Sequence, residues 1–222
     1  MTKLLIHFRK FRLENIGLLS LMFKSKIIYI FQEIGILRQP KIFILGDSHA
    51  FSFTHQKSRI IYMGPRTAHQ LFNKNVETHL KTIKDKKEAI IIFIFGEIDC
   101  RIHIFSKYMD SKKKLSLNFL VSQTVFSYVK AIIKIRAIGY NVAALSIVPS
   151  GNQPNIYGYK YYATEKTRQK ITKIFNQKLQ EACAFHKIRF INIFNQLTDD
   201  QRIDRIHFKS SVFKYLASHI FP

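Results

Sequence analysis

Tryptophan is absent from this chain, cysteine occurs only twice, and 14 acidic residues face 36 lysines and arginines. The two cysteines, Cys100 and Cys183, are too few for a disulfide framework, and their settings after an apolar run and in a helical pattern suit buried thiols. A reducing, cytoplasmic setting is therefore expected. No tight His/Cys spacing suggests zinc, so neither a catalytic metal nor any other cofactor is expected. The formal net charge of +22 would attract a polyanion, be it nucleic acid, anionic lipid or acidic glycan. Zinc-finger spacing, an RNA-binding aromatic pair and a recognition helix are all missing, however, so nucleic acid is not an expected partner. The joint abundance of Lys, Ile, Phe and Asn also fits coding from an AT-rich genome, with most lysines simply solvated. Internal repeats and interdomain linkers are lacking too. The longest uncharged run near the amino end, Asn15 to Phe23, is too short to span a bilayer, and no small-residue cleavage site follows it.

What is present suffices for one domain with a substantial core: 222 residues, 47% hydrophobic, with 20 Phe and 10 Tyr. Residues 1–38 read as a basic helical extension carrying Lys3, Arg9, Lys10, Arg12, Lys24 and Lys26. A helix lying on an anionic membrane surface, giving peripheral attachment, and a helix packed on the domain both fit it. Gln39-Pro40 ends that pattern, and residues 39–222 form the domain proper. Apolar strands are expected at 41–47, 59–63, 88–95, 141–148 and 188–194. Helices are expected at 67–84, 115–138 (closed by Gly139), 164–186 (capped by Thr164) and 208–220. Residues 107–114 read as a charged loop, and 150–162 as an irregular segment with four tyrosines. Strands alternating with helices argue for an α/β domain with a parallel sheet covered on both faces.

The chain is organised around Lys41-Ile42-Phe43-Ile44-Leu45-Gly46-Asp47-Ser48-His49-Ala50. A buried strand ends in Gly-Asp-Ser-His, which places Ser48 at the carboxyl end of a central strand, where ligands bind in open α/β sheets. A plain strand-to-helix turn with a capping serine fits the same residues. Three other segments leave strand ends on the same rim: Gly64, Gly96-Glu97-Ile98-Asp99-Cys100-Arg101, and Asp204-Arg205-Ile206-His207.

Taken in order from about Lys41 to the carboxyl end, these four segments resemble the sequence blocks of the SGNH (GDSL-type) esterase and acyltransferase superfamily. The resemblance implies a flavodoxin-like three-layer α/β/α fold with strand order 2-1-3-4-5. It implies Ser48 as nucleophile, His207 as general base and Asp204 as the group orienting His207, with the amides of Ser48 and Gly64 forming an oxyanion hole. The chemistry agrees, since a serine hydroxyl needs a neighbouring imidazole to take its proton, and a carboxylate fixes that imidazole's tautomer. A solvent loop with a capping aspartate is the plainer reading of Asp204 and His207. The third block departs from the family pattern: Ile98 stands where an asparagine donor is usual. Arg101 is the candidate substitute, either near the oxyanion or clamping an anionic substrate group, with Asp99 holding Arg101 or the Ser48 loop. A surface ion pair fits those two as well. Asp47, His49 and Tyr157 complete the expected substrate-binding set, though His49 also suits an exposed helix start. Tyr157, Tyr159, Tyr161 and Tyr162 would either stack on sugar rings or pack their loop. A thiol nucleophile from the Cys100-x-x-His103 pair lacks a third partner.

The expected activity is serine-dependent ester hydrolysis or O-acyl transfer, on a small-molecule or glycan ester, through an acyl-enzyme. A weak or inactive member of the fold that binds glycan or anions is the alternative.

Overall fold

The computed structural model describes residues 2–155 and 158–220, with side chains described from Ile16 onward. Five strands, β1 (Ile42–Gly46), β2 (Ser58–Tyr62), β3 (Ile90–Ile94), β4 (Asn141–Leu145) and β5 (Arg189–Ile191), form one parallel sheet in the order β2-β1-β3-β4-β5. The expected strand order is the observed one. Every residue of β1 is buried, because β1 is flanked by strands on both edges and covered on both faces.

Period-two alternation divides the core. Phe43, Leu45, Ile91, Phe93 and Ala144 point to one side, where α3 (Leu117–Ala137) and α4 (Glu165–Phe185) cover them. Ile42, Ile44, Ile92, Ile94, Ala143 and Leu145 point to the other, against Phe53, Phe208 and α5 (Phe213–Ile220). The layers are therefore α/β/α. A short helix, α2 (Ile104–Asp110), continues a π-helical turn, Asp99–His103, that follows β3. On the second side, α1 (Thr2–Glu33) lies against the 3-10 turn Ser48–Phe53 and against β2. It buries Leu21 and Gln32, and the Gln32 side chain donates to the carbonyls of Gln56 and Ser58. The amino-terminal helix thus packs on the domain through one face.

Several helix expectations need correction. Residues 67–84 form no continuous helix but two short 3-10 turns, Leu71–Asn73 and Val76–Leu80. Leu71, Val76, Leu80 and Ile83 are buried as the pattern requires, whereas Phe72, the fifth apolar member of that pattern, is exposed. The hydroxyl of Thr78 donates to the Asn75 carbonyl, and that of Thr67 accepts from the Gln70 amide. Such local side-chain bonds compete with helix propagation. The expected loop at 107–114 is half helix: α2 runs to Asp110, and the turn beyond it has Lys112 and Lys113 at positive φ. The final helix begins at Phe213 rather than 208, because the Phe208 amide is drawn to Ser52 Oγ and a 3-10 turn intervenes. The caps agree with expectation: Thr164 accepts from the Thr167 amide, and Gly139 follows α3 at φ +99°.

Candidate active site

Strand β1 delivers the site. Gly46 lies so close to β3 that a Cβ there would stand 2.7 Å from the Ile94 carbonyl, so only glycine lets the strand exit at this point. Asp47 then caps the 3-10 turn: its Oδ1 accepts from the His49 amide at 2.9 Å. The turn lifts the half-buried Ser48 side chain onto the rim.

Ser48 and His207, 159 residues apart along the chain, are brought together with Asp204. Ser48 Oγ is 2.9 Å from His207 Nε2, and His207 Nδ1 is 2.8 Å from Asp204 Oδ2. Asp204 spends its other oxygen on its own turn, where Oδ1 accepts from the amides of Ile206 and His207, each at 2.7 Å. With a carboxylate at Nδ1, that nitrogen carries the proton and Nε2 is left as acceptor toward Ser48. Burial pushes the Asp204 carboxyl up, but the His207 ring and the two amides outweigh it and hold it below the usual carboxylate range. Arg202 fastens this loop to its neighbour: it donates to the carbonyls of Pro149 and Ile206, and its guanidinium sits over the Phe208 ring.

Gly64 follows β2 at φ +76°, with open space where a Cβ would be. Among the described residues, neither its amide nor that of Ser48 donates to a protein acceptor.

The third segment sorts differently from expectation. Asp99 does not hold Arg101. It is buried, and its Oδ2 accepts from the Ala68 amide at 2.7 Å, tying this segment to the loop after Gly64. Arg101 pairs instead with Glu97 at 2.8 Å, and its Nη1 donates to Gln153 at 2.7 Å. Glu97 and Gln153 are the residues that sequence reasoning missed. Glu97 gave a signal, since it sits four residues before Arg101 in a chain already turning helical, which is ion-pair spacing. Gln153, 52 residues away, gave none.

Asp47 and His49 are both buried, not open to solvent as binding residues would be. Asp47 Oδ1 is 3.0 Å from His49 Nδ1, while His49 Nε2 is 3.9 Å from Glu97. The His49 ring leans on the His207 ring, centroids 4.9 Å apart. Burial pushes His49 down, yet Asp47 and Glu97 prevail and hold it above its ordinary value. Tyr157 lies outside the described residues. Tyr159 and Tyr162 stack nearly parallel, 6.2 Å apart, over a loop anchored by Arg168, which donates to Ser150 Oγ and to the carbonyls of Ala163 and Gly151. Cys100 is buried, and burial followed by Asp99 and Glu97 pushes its thiol well above the ordinary value, so it is no thiolate. Among the described residues, no group of three or more His, Cys, Asp or Glu is placed to hold a metal.

Asp99 yields a pH test. Burial pushes its carboxyl up to about 7, outweighing the Ala68 and His69 amides that donate to it. Between its unfolded value near 3.8 and its folded value near 7, the native form keeps a proton that the unfolded chain has released. Its contribution to stability therefore falls as pH rises through that window. Asp99→Asn removes the ionisation. The melting temperature of the variant relative to the native chain should rise by several degrees between about pH 4 and about pH 7. A difference independent of pH would contradict this.

The fold has solved counterparts. A GDSL-like lipase from Bacteroides thetaiotaomicron superposes with a TM-score of 0.54 at 15% identity, over 87% of this chain and 94% of that one. A member of the lipolytic G-D-S-L family from Veillonella parvula gives 0.51 at 13% identity, over 82% and 98%. An acetyl xylan esterase gives 0.50 at 10% identity, over 81% and 98%. No protein-family model and no curated protein matches the chain. The sheet order, the layers and these superpositions together give the chain the GDSL-type, SGNH-hydrolase-like fold.

Proposed function

We propose that the chain is a serine esterase or O-acyltransferase that works through an acyl-enzyme. The observation that carries this reading is the unbroken hydrogen-bonded line from Asp204 through His207 to Ser48. In the proposed cycle Ser48 Oγ attacks the ester carbonyl as His207 Nε2 takes its proton. The amides of Ser48 and Gly64 receive the oxyanion. Collapse expels the alcohol, protonated by His207, and leaves the acyl group on Ser48. Water, or a sugar hydroxyl in a transferase, is then activated by His207 and releases the acyl group. Asp47, His49 and Glu97 act in this reading as positioning residues behind His207, and Arg101 steadies the third segment rather than clamping substrate.

Two features support a carbohydrate ester as substrate. The paired rings of Tyr159 and Tyr162 offer aromatic surface beside the rim, and a neighbour in fold is an acetyl xylan esterase. Ile98 favours the second reading, a weak or inactive binding protein, because it offers no side-chain donor. A lost donor of this kind costs about 2.7–4 kcal/mol, on the order of 10²–10³ in rate. Ile98 is only half-buried, so asparagine fits there. Ile98→Asn should raise kcat on an aryl acetate by about tenfold or more with little change in KM. An unchanged kcat would remove the oxyanion deficit from the account.

A fluorophosphonate probe separates the two readings. The enzyme reading predicts covalent labelling of the native chain that Ser48→Ala abolishes, together with turnover of short-chain aryl esters. Absence of both labelling and turnover in the native chain would favour the binding protein.

A further inference from the structure

α1 is apolar on two opposite sides. Its inner side packs on the domain through Leu21 and Gln32. Its outer side carries Ile16, Leu19, Phe23, Ile27 and Ile30, and Ile34, whose amide donates to the Ile30 carbonyl just past the helix end, continues the line; all six are 36–68% exposed. On a helix of about 3.6 residues per turn these six project within about 80° of one another, roughly opposite Leu21. The pattern is a repeat: Ile16, Leu19 and Phe23 recur eleven residues on as Ile27, Ile30 and Ile34. An eleven-residue period, about 3.67 per turn, keeps an apolar line on one side of a nearly straight helix. Isolated exposed apolar residues are ordinary, whereas a line of six is not. Lys24 and Lys26 project to either side of the line, about 100° and about 60° from its centre by the same geometry. Lys24 Nζ is drawn toward Ser210 Oγ at 3.1 Å, and Lys26 is exposed. The preceding sequence adds Lys3, Arg9, Lys10 and Arg12, in a chain of net charge +22.

We propose that this outer side of α1 is a docking surface for an anionic lipid bilayer, lying in the plane of the interface. Apolar side chains flanked by lysines match acyl chains bordered by anionic headgroups. A polysaccharide or nucleic acid would satisfy the lysines and leave the isoleucines in water. Among the described residues no helix is long and apolar enough to cross a membrane, so the mode is adsorption. The inference stands independently of the esterase reading, although the helix touches the Ser48–Phe53 turn and Gly17 abuts Ile203, next to Asp204.

The absence of tryptophan gives a direct probe. In Phe23→Trp the new indole is the only one in the chain. Its emission should shift to the blue on adding vesicles of phosphatidylcholine containing one third phosphatidylglycerol, and much less with pure phosphatidylcholine. Co-sedimentation of the native chain should favour the anionic vesicles at least ~10-fold, weaken with salt, and drop at least ~10-fold in Phe23→Asp/Ile27→Asp. Both replaced side chains are solvent-exposed, so that variant should keep the native melting temperature and the native turnover of a soluble ester. The proposal is overturned by an unshifted indole, by a double variant that binds as well as the native chain (which would make the attraction one of bulk charge), or by a native dimer that the double variant dissociates, since a second copy would then cover the line.

Discussion

Ser48→Ala should lower ester turnover by on the order of 10⁴–10⁶-fold, with KM and melting temperature nearly unchanged. The size follows from the site. The hydroxyl is the only part of Ser48 engaged with His207, and alanine keeps the backbone amide proposed to receive the oxyanion. The turn itself is held by Asp47 and by the Ala50 amide donating to the Asp47 carbonyl, so removing the hydroxyl leaves the rim in place. The residual rate measures what the oxyanion donors and binding supply alone. A loss of only a few-fold would mean that Ser48 is not the nucleophile. Steady-state kinetics on an aryl acetate and a thermal melt read both quantities.

The second large effect is expected at Asp204. Both carboxylate oxygens accept hydrogen bonds: Oδ2 from His207 Nδ1, Oδ1 from the Ile206 and His207 amides. In Asp204→Asn the new side chain cannot meet all three. If its amide nitrogen faces the ring, Nδ1 becomes the acceptor and the proton moves to Nε2, which can then no longer take the proton of Ser48. If its nitrogen faces the two backbone donors, the tautomer survives but the turn opens. Either outcome should cost kcat about 10³–10⁴-fold. The tautomer outcome leaves the melting temperature close to native, whereas the opened turn lowers it. Because His207 and the amides hold the Asp204 carboxyl down, its contribution to stability is present above the ordinary carboxylate value and fades as pH falls through the lowered one. In Asp204→Asn that part of the acid-side loss should vanish. Near-native kcat in the variant would exclude Asp204 from the relay.

The hydrogen-bonded line from Asp204 to Ser48 was legible because each of its parts is written locally. Residues 41–47 read as a buried strand from their apolar run, and Gly46 marks the exit from it. Asp204 and His207 sit three apart, so one tight turn joins them. Four strand ends on one rim then bring Ser48 to His207 with no further information. The parts that were not legible depend on partners remote in sequence. Arg101 reads as held by Asp99 or ion-paired with it, yet the folded chain turns Asp99 inward to the Ala68 amide and gives Arg101 to Glu97 and Gln153. His49 reads equally well as an exposed helix start, and only the approach of Glu97 and His207 makes it buried. Residues 67–84 carry helical spacing of apolar groups that packing honours, while Thr67, Asn75 and Thr78 break the backbone into short turns. The outer line of α1 was hidden for another reason: its inner side is apolar too, so the two patterns overlap in the sequence and separate only when one side is seen buried.

The most direct test is to catch the acyl group. The chain should be mixed with excess aryl acetate, acid-quenched during turnover, digested, and each peptide weighed. The account predicts a mass increase of one acetyl group on the peptide bearing Ser48, formed as fast as the enzyme turns over and absent in Ser48→Ala. Turnover with that peptide unmodified, or with the acetyl group carried instead on Cys100 or another residue, would contradict it.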